Sequence, residues 1–178
     1  MTDDWQFLEL ARGGDEKAWR DLFERHYPPL VRMTSCITGS IETGQDLAQE
    51  SFVRLLHVRI RHHEGTFKSF LSTIAYRLAL KERHRLSLYR RPDALLIADE
   101  SPSPLELAIR DDTDRIIFRA ILSLSSEHRE ILTLRYIGGH TYDEIARITE
   151  VPIGTVKSRI FYAVKICREM LKERGVSQ

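Results

Sequence analysis

The sequence predicts an all-α fold: two small helical domains joined by a flexible acidic linker, the C-terminal one a helix-turn-helix. Three observations predict it. Apolar residues recur at helical spacing along most of the chain, alternating strand patterns are absent, and the stretch Thr141 to Phe161, TYDEIARITEVPIGTVKSRIF, reads as two short helices around a tight turn. With 178 residues, 42% of them hydrophobic, the chain can bury one medium core or two small ones.

The elements follow in order. Trp5 to Ala11 and Glu16 to His26 carry apolar residues at helical spacing, Ala18, Trp19, Leu22 and Phe23 among them. Pro28 and Pro29 lack an N–H and are expected to interrupt the helix or open the next segment, Leu30 to about Thr38. Gly39 and Gly44 punctuate a loop, and a strong helix runs from about Thr43 to Val58. A loop with His62, His63, Glu64 and Gly65 leads to a helix from about Phe67 to Leu88. Arg91 to Asp114, with three prolines, reads as a linker holding one helical turn around Leu105 to Ile109. Ile116 to Leu124 and Glu127 to Ile137 form two helices, the second with Ser125 and Ser126 as cap candidates and ended by Gly138 and Gly139.

The last two helices are read in more detail. Thr141 and Glu144 have capping-box spacing, so a helix begins at Thr141, with Ile145, Ala146 and Ile148 on its apolar face. The turn lies near Glu150 and Val151, and Pro152 suits the first position of the second helix. There Val156, Ile160, Ala163, Cys167 and Met170 recur at core spacing. Thr155, Lys157, Ser158, Phe161, Tyr162 and Lys165 are left on or beside the outer face. Such a face suits a helix that enters the major groove of DNA.

Charge is distributed unevenly. Residues 1–51 carry a net −5, 52–91 a net +8, 92–114 a net −6 and 115–178 a net +4, within an overall +1. A local +8 over forty residues is a footprint that attracts nucleic acid. Cys36 and Cys167 lie far apart without metal-ligand spacing and are expected to be buried free thiols in a reducing compartment. The start MTDDWQFLEL has no basic-then-apolar signal, and no stretch reaches the length of a membrane span, so a cytoplasmic protein without membrane insertion is expected.

Three segments now carry a resemblance. Gln45 to His57, QDLAQESFVRLLH, resembles the polymerase-binding helix of bacterial sigma factors; Phe67 to Arg85 resembles their promoter-melting helix; Arg129 to Leu171 resembles their helix-turn-helix for the minus-thirty-five element. Order, spacing and length are similar to the extracytoplasmic-function group of the sigma-70 family. The resemblance implies a polymerase-binding and minus-ten-recognising domain over residues 1–90, a linker over 91–114 and a helix-turn-helix domain over 115–178. It implies core RNA polymerase and promoter DNA as partners, with an anti-sigma factor or a protein kinase as candidate regulators and no further domain after Leu171. No cofactor and no catalysis are implied.

On this reading Asp46, Gln49, Glu50 and Phe52 bind core polymerase. The first three share a helical face able to form charge-assisted hydrogen bonds to a basic partner helix. Just upstream, Glu42-Thr43-Gly44-Gln45 stands where relatives are more acidic, which makes Thr43 a candidate for phosphorylation, since phosphate restores negative charge. The implied minus-ten set is His62, His63, Glu64, Gly65, Thr66, Lys68, Arg77 and Lys81, with the loop 62–66 capturing a flipped base. Bases stacking on rings and phosphates meeting cations would suit the basic-aromatic helix after it, although Phe67 reads as core. Phe70, Arg77 and Lys81 replace the family's frequent Trp, Asn and Asp. The implied minus-thirty-five set is Arg135, Tyr142, Thr155, Lys157, Ser158, Arg159, Phe161 and Tyr162; Tyr162 and Val164 replace frequent arginines, and Glu150 a frequent turn glycine.

Two other classes are weighed. A helix-turn-helix regulator acting without core polymerase explains the C-terminal half but gives the basic-aromatic helix and the Glu50 face no role. An enzyme is less supported: there is no phosphate-cradling Gly-rich loop or nucleophile motif, and His57, His62, His63 and Glu64 lack the companions of a metal site.

Overall fold

The computed structural model describes residues 3–58, 65–89 and 119–173, and the described residues form helices and turns with no strand. The elements are α1 (Asp4–Arg12), α2 (Glu16–Thr38), α3 (Ile41–His57), α4 (Phe67–Tyr89), α5 (Ser126–Leu132), α6 (Tyr142–Thr149) and α7 (Ile153–Glu173). The chain is also helical over 119–122, and α5 runs on as a π-turn over Thr133–Ile137. The expected linker at 91–114 lies outside the described residues.

Helices α1 to α4 close around an aromatic core. Phe52 is buried among Trp19, Phe23 and Tyr27, with ring centroids 5.5, 5.0 and 6.4 Å away. Trp5 packs on Phe67 and Phe70 at 5.3 and 5.4 Å, so both phenylalanines serve the core. Arg12 joins α1 to the end of α3: its Nη2 donates to the carbonyls of Leu55 (2.7 Å) and Val58 (2.6 Å), which a helix terminus leaves without N–H partners.

Two expectations fail here for physical reasons. The prolines do not break the chain: α2 is one helix with Pro28 and Pro29 inside it. The carbonyls that lose their donors belong to Glu24 and Arg25, which are exposed and open to water, while buried Leu22, His26, Leu30, Met33 and Ile37 hold one apolar stripe across the prolines. Gly44 is not in a loop. The αL residue Gly39 (φ 79°) ends α2, Ser40 caps α3 by accepting from the Thr43 N–H, and Gly44 lies buried in the first turns of α3. A Cβ there would stand 2.0 Å from Ser35 Oγ and 2.7 Å from Ser35 N, so glycine is required by a close α2–α3 crossing.

The C-terminal helices pack Ile131, Leu134, Ile145, Ile148, Val156, Ile160 and Ala163 together. The capping box is present in both directions, with Thr141 as the cap and α6 starting at Tyr142. Pro152 precedes α7, and its carbonyl accepts from the Val156 N–H at 3.1 Å. Glu150 takes the left-handed conformation (φ 58°) that the tight turn demands, the role for which glycine is the usual choice. Ser125 precedes α5 without capping it; its hydroxyl contacts His128 Nδ1 at 3.1 Å instead.

The two halves are docked on each other, α4 against α6, and α2 against α5 and the π-turn. Cys36 on α2 is buried with Ile41, Leu122 and Ile137 around it, and burial pushes its thiol up to about 12. Cys167 is half-buried, and both thiols are free.

Candidate nucleic-acid interface

The polar face of α3 forms as its spacing requires, with one correction to its membership. Asp46 and Gln49 are exposed and Glu50 is half-exposed. The face also has partners within the chain: Arg54 Nε donates to Glu50 Oε1 at 2.7 Å, and Gln49 Nε2 reaches the Tyr27 hydroxyl at 3.4 Å. Phe52 leaves the set, because it is 1% exposed in the aromatic core. Helical phase could have shown this, since a residue two positions after Glu50 points to the opposite side. Thr43 is half-buried in the first turn of α3.

Helix α4 presents a polar stripe opposite its core face. Lys68, Ser72, Tyr76 and Arg83 recur at helical spacing, and each meets the C-terminal half. Lys68 Nζ donates to the Gly139 carbonyl (2.8 Å), Ser72 Oγ lies 3.0 Å from His140 Nε2, Tyr76 donates to Glu130 Oε2 (2.6 Å), and Arg83 pairs with the same carboxylate. At the flanks, Thr66 Oγ1 donates to Glu144 Oε1 at 2.8 Å and exposed Arg77 pairs with Glu150 at 2.5 Å. Of the implied minus-ten residues, Gly65 (φ 96°) and Lys81 are exposed, Thr66, Lys68 and Arg77 face the other domain, and His62, His63 and Glu64 lie outside the described residues.

The stripe has consequences for ionisation. His140 is fully buried; burial drives its pKa down to about 4, and the nearby Lys68 ammonium adds to this against the pull of Glu144. Glu144 Oε2 is 3.7 Å from His140 Nδ1, too far for a hydrogen bond, so Nδ1 is buried without a partner. Burial pushes the Glu144 carboxyl up, but hydrogen bonds from Thr141 and Thr66 together with the His140 interaction bring it net below its ordinary value. Burial, and then the Glu130 hydrogen bond, push the Tyr76 hydroxyl far up, so it stays a donor. The sequence gives no local signal for Glu130, Ser72 or His140, whose partners lie 54 and 68 residues away.

On α7, Lys157, Ser158, Phe161 and Tyr162 stand free on the outer face and Thr155 is half-buried, as the spacing predicts. Phe161 and Tyr162 are 66% and 55% exposed and touch edge to face, an apolar surface without a core to serve. Ser158 Oγ donates to the Thr155 carbonyl at 3.0 Å, leaving its lone pairs as acceptors for a base amino group. Arg159 is turned away and held by Glu127 at 3.0 Å, so in this form it is a domain-bracing residue. Arg135 donates to the His140 carbonyl (2.9 Å) and stacks over Tyr142 at 5.2 Å. Tyr136 beside it is exposed as well, a position for which the sequence carries no local signal.

Among the described residues no three His, Cys, Asp or Glu side chains gather as a metal site, and no helix is long and apolar enough to cross a membrane.

Comparison with known proteins agrees with this layout. The family described as sigma-70 region 2 matches residues 22–88, and sigma-70, region 4 matches residues 114–167. The chain is 30% identical to the ECF RNA polymerase sigma-E factor of Escherichia coli K12, covering 90% of each chain. It is 28% identical to the RNA polymerase sigma-H factor of Pseudomonas aeruginosa, over 92% of this chain and 91% of that protein. Among solved structures it resembles the sigma factor RpoE in complex with the anti-sigma factor NepR from Bartonella quintana (TM-score 0.65, 22% identity, 88% of this chain and 98% of that one). It also resembles CnrH in complex with the cytosolic domain of CnrY (TM-score 0.66, 21% identity, 96% and 97%). At such identities these two establish the shared fold.

Proposed function

Because the chain belongs to the extracytoplasmic-function sigma factors of the sigma-70 family and as such acts with RNA polymerase, we propose that it docks on core polymerase through α3, melts and captures the minus-ten strand through α4, and reads the minus-thirty-five element through α7. The observation that carries this is the exposed surface of α7: lysine, serine and two solvent-facing aromatic rings on one helix face, with no core left for them to fill. On α3, Asp46, Gln49 and Glu50 supply the acceptors for a basic partner helix. On α4, Lys68, Arg77 and Lys81 supply phosphate contacts. Residues 1–90 and 115–178 are the two working domains of this reading, joined through 91–114.

Sigma factors are non-catalytic initiation factors, so the reacting groups belong to the polymerase. On this reading the protein works in the cytoplasm, where the polymerase is. An anti-sigma factor is a candidate partner because the similar Bartonella quintana structure is a complex of that kind. A kinase acting at Thr43 is a second candidate.

Permanganate footprinting tests the melting role. Arg77→Ala slows formation of the open complex more than it weakens duplex binding, and a pre-melted promoter relieves the defect. An undiminished defect on pre-melted DNA removes α4 from melting.

A further inference from the structure

Resting on the reading above that α7 enters the major groove, we infer that Phe161 and Tyr162 recognise thymine through its 5-methyl group, so that the preferred duplex carries successive thymines beside the base met by Ser158. The two rings are 66% and 55% exposed, touch each other edge to face at 5.5 Å and take no part in the core cluster. At about 100° per residue, Lys157, Ser158, Phe161, Tyr162, Lys165 and Arg168 fall within an arc of about 140°, and all six are exposed. Buried Val156, Ile160 and Ala163 lie opposite. No acid stands between Gly154 and Arg168, so the face sets three cations around two rings. Such a face fits a polyanion whose apolar groups are set back from its charges, and duplex DNA is one.

The groove determines the base. Major-groove base edges present donors and acceptors, and their one apolar substituent is the methyl of thymine. A ring laid on a donor or acceptor strips its water and returns no hydrogen bond, which costs free energy. The rings therefore select thymine twice over, by the gain at the methyl and by the loss at any other edge. Spacing gives the number of bases. Two rings 5.5 Å apart reach beyond one base-pair step of about 3.4 Å, so they meet two successive thymines. Ser158 and Tyr162 are about 6 Å apart along the helix axis, which puts those thymines within about two steps of the base at Ser158. Tyr162 stands where arginine is frequent in the family, so the chain carries a ring at a position where a cation would hold phosphate.

The test uses the full chain, on which this face is already open. Selection from randomised duplexes yields the preferred site, and each thymine in it is then replaced by uracil, which pairs alike and lacks only the methyl. Anisotropy measures affinity for each labelled duplex. Uracil at two successive positions weakens the parent about fourfold each, as the transfer free energy of one methyl-sized group requires, and uracil elsewhere changes nothing. F161A/Y162A removes rings that no core depends on; it binds more weakly and treats thymine and uracil duplexes alike. Tyr162→Phe keeps the ring and with it the discrimination. A preferred site without successive thymines, a parent indifferent to uracil, discrimination that survives F161A/Y162A, or a chain that selects no duplex each overturns the inference. If Ser158→Ala shifts base preference while uracil changes nothing, α7 still reads the groove and only the methyl contact falls. If uracil is discriminated and core polymerase yields no transcript with this chain, the methyl contact stands and the sigma-factor reading falls.

Discussion

Acid should open the clasp between the domains, and His140 sets the range. In the closed form its imidazole is fully buried and held neutral, with a pKa of about 4 against an ordinary 6.5. The charged and polar groups facing it are Lys68 and Ser72 from α4, Glu144 from α6, and Arg135 at its own carbonyl. Any form that exposes His140 takes up a proton near pH 6.5, which the closed form refuses. Closure is therefore at full strength well above 6.5, weakens as pH falls below it, and levels off below about 4. At about 1.4 kcal/mol per pH unit the loss is about 1.4 kcal/mol at pH 5.5 and about 3.5 kcal/mol in the limit, a shift toward opening of about tenfold to about three-hundredfold. Glu144, with its carboxyl below the ordinary value, adds a loss in the same direction at lower pH. His140→Gln isolates the effect, since an amide can still meet Ser72 and does not titrate. Urea midpoints and the radius of gyration at pH 7.5, 6.5, 5.5 and 4.5 measure it. Identical pH dependence in parent and variant refutes the reasoning.

Three further outcomes follow from particular contacts. Gly44→Ala should lose about 2 kcal/mol and several degrees of Tm, because overpacking against Ser35 outweighs the gain of up to about 1 kcal/mol in helix propensity; Ser35→Gly should not rescue it in thermal melts, since the Ser35 backbone is itself only 2.7 Å from the new Cβ. Glu50→Lys should abolish binding to core polymerase by anisotropy while changing stability by less than about 0.5 kcal/mol, the pair with Arg54 being half-exposed. Ser158→Ala should alter preference at one or two upstream bases by about 1 to 3 kcal/mol in a binding-site selection, whereas Arg135→Ala should weaken all sequences alike; an equal, uniform loss from both contradicts the division of labour on the helix-turn-helix.

What was legible in the sequence was what is local. The Thr141–Glu144 box, the core and outer faces of α7 and the break at Gly39 depend on residues within a turn or two, and all formed. Pro28 and Pro29 misled because propensity is weak against a packed stripe that continues past them. Gly44 reads as a loop residue because the reason for it, Ser35, lies on another helix. Motif membership puts Phe52 on the polymerase face, whereas its helical phase points inward. The clasp was invisible for the same reason in stronger form: Thr66 and Glu144 are 78 residues apart, and each reads as an ordinary surface residue until the domains meet.

Multi-round transcription by core polymerase on a randomised promoter library tests the central claim most directly. With this chain added, the account predicts repeated full-length transcripts from a selected class of promoters bearing paired minus-thirty-five and minus-ten elements, lost on Glu50→Lys. Binding to those promoters without any transcript would contradict it and leave a DNA-binding regulator that works without the polymerase.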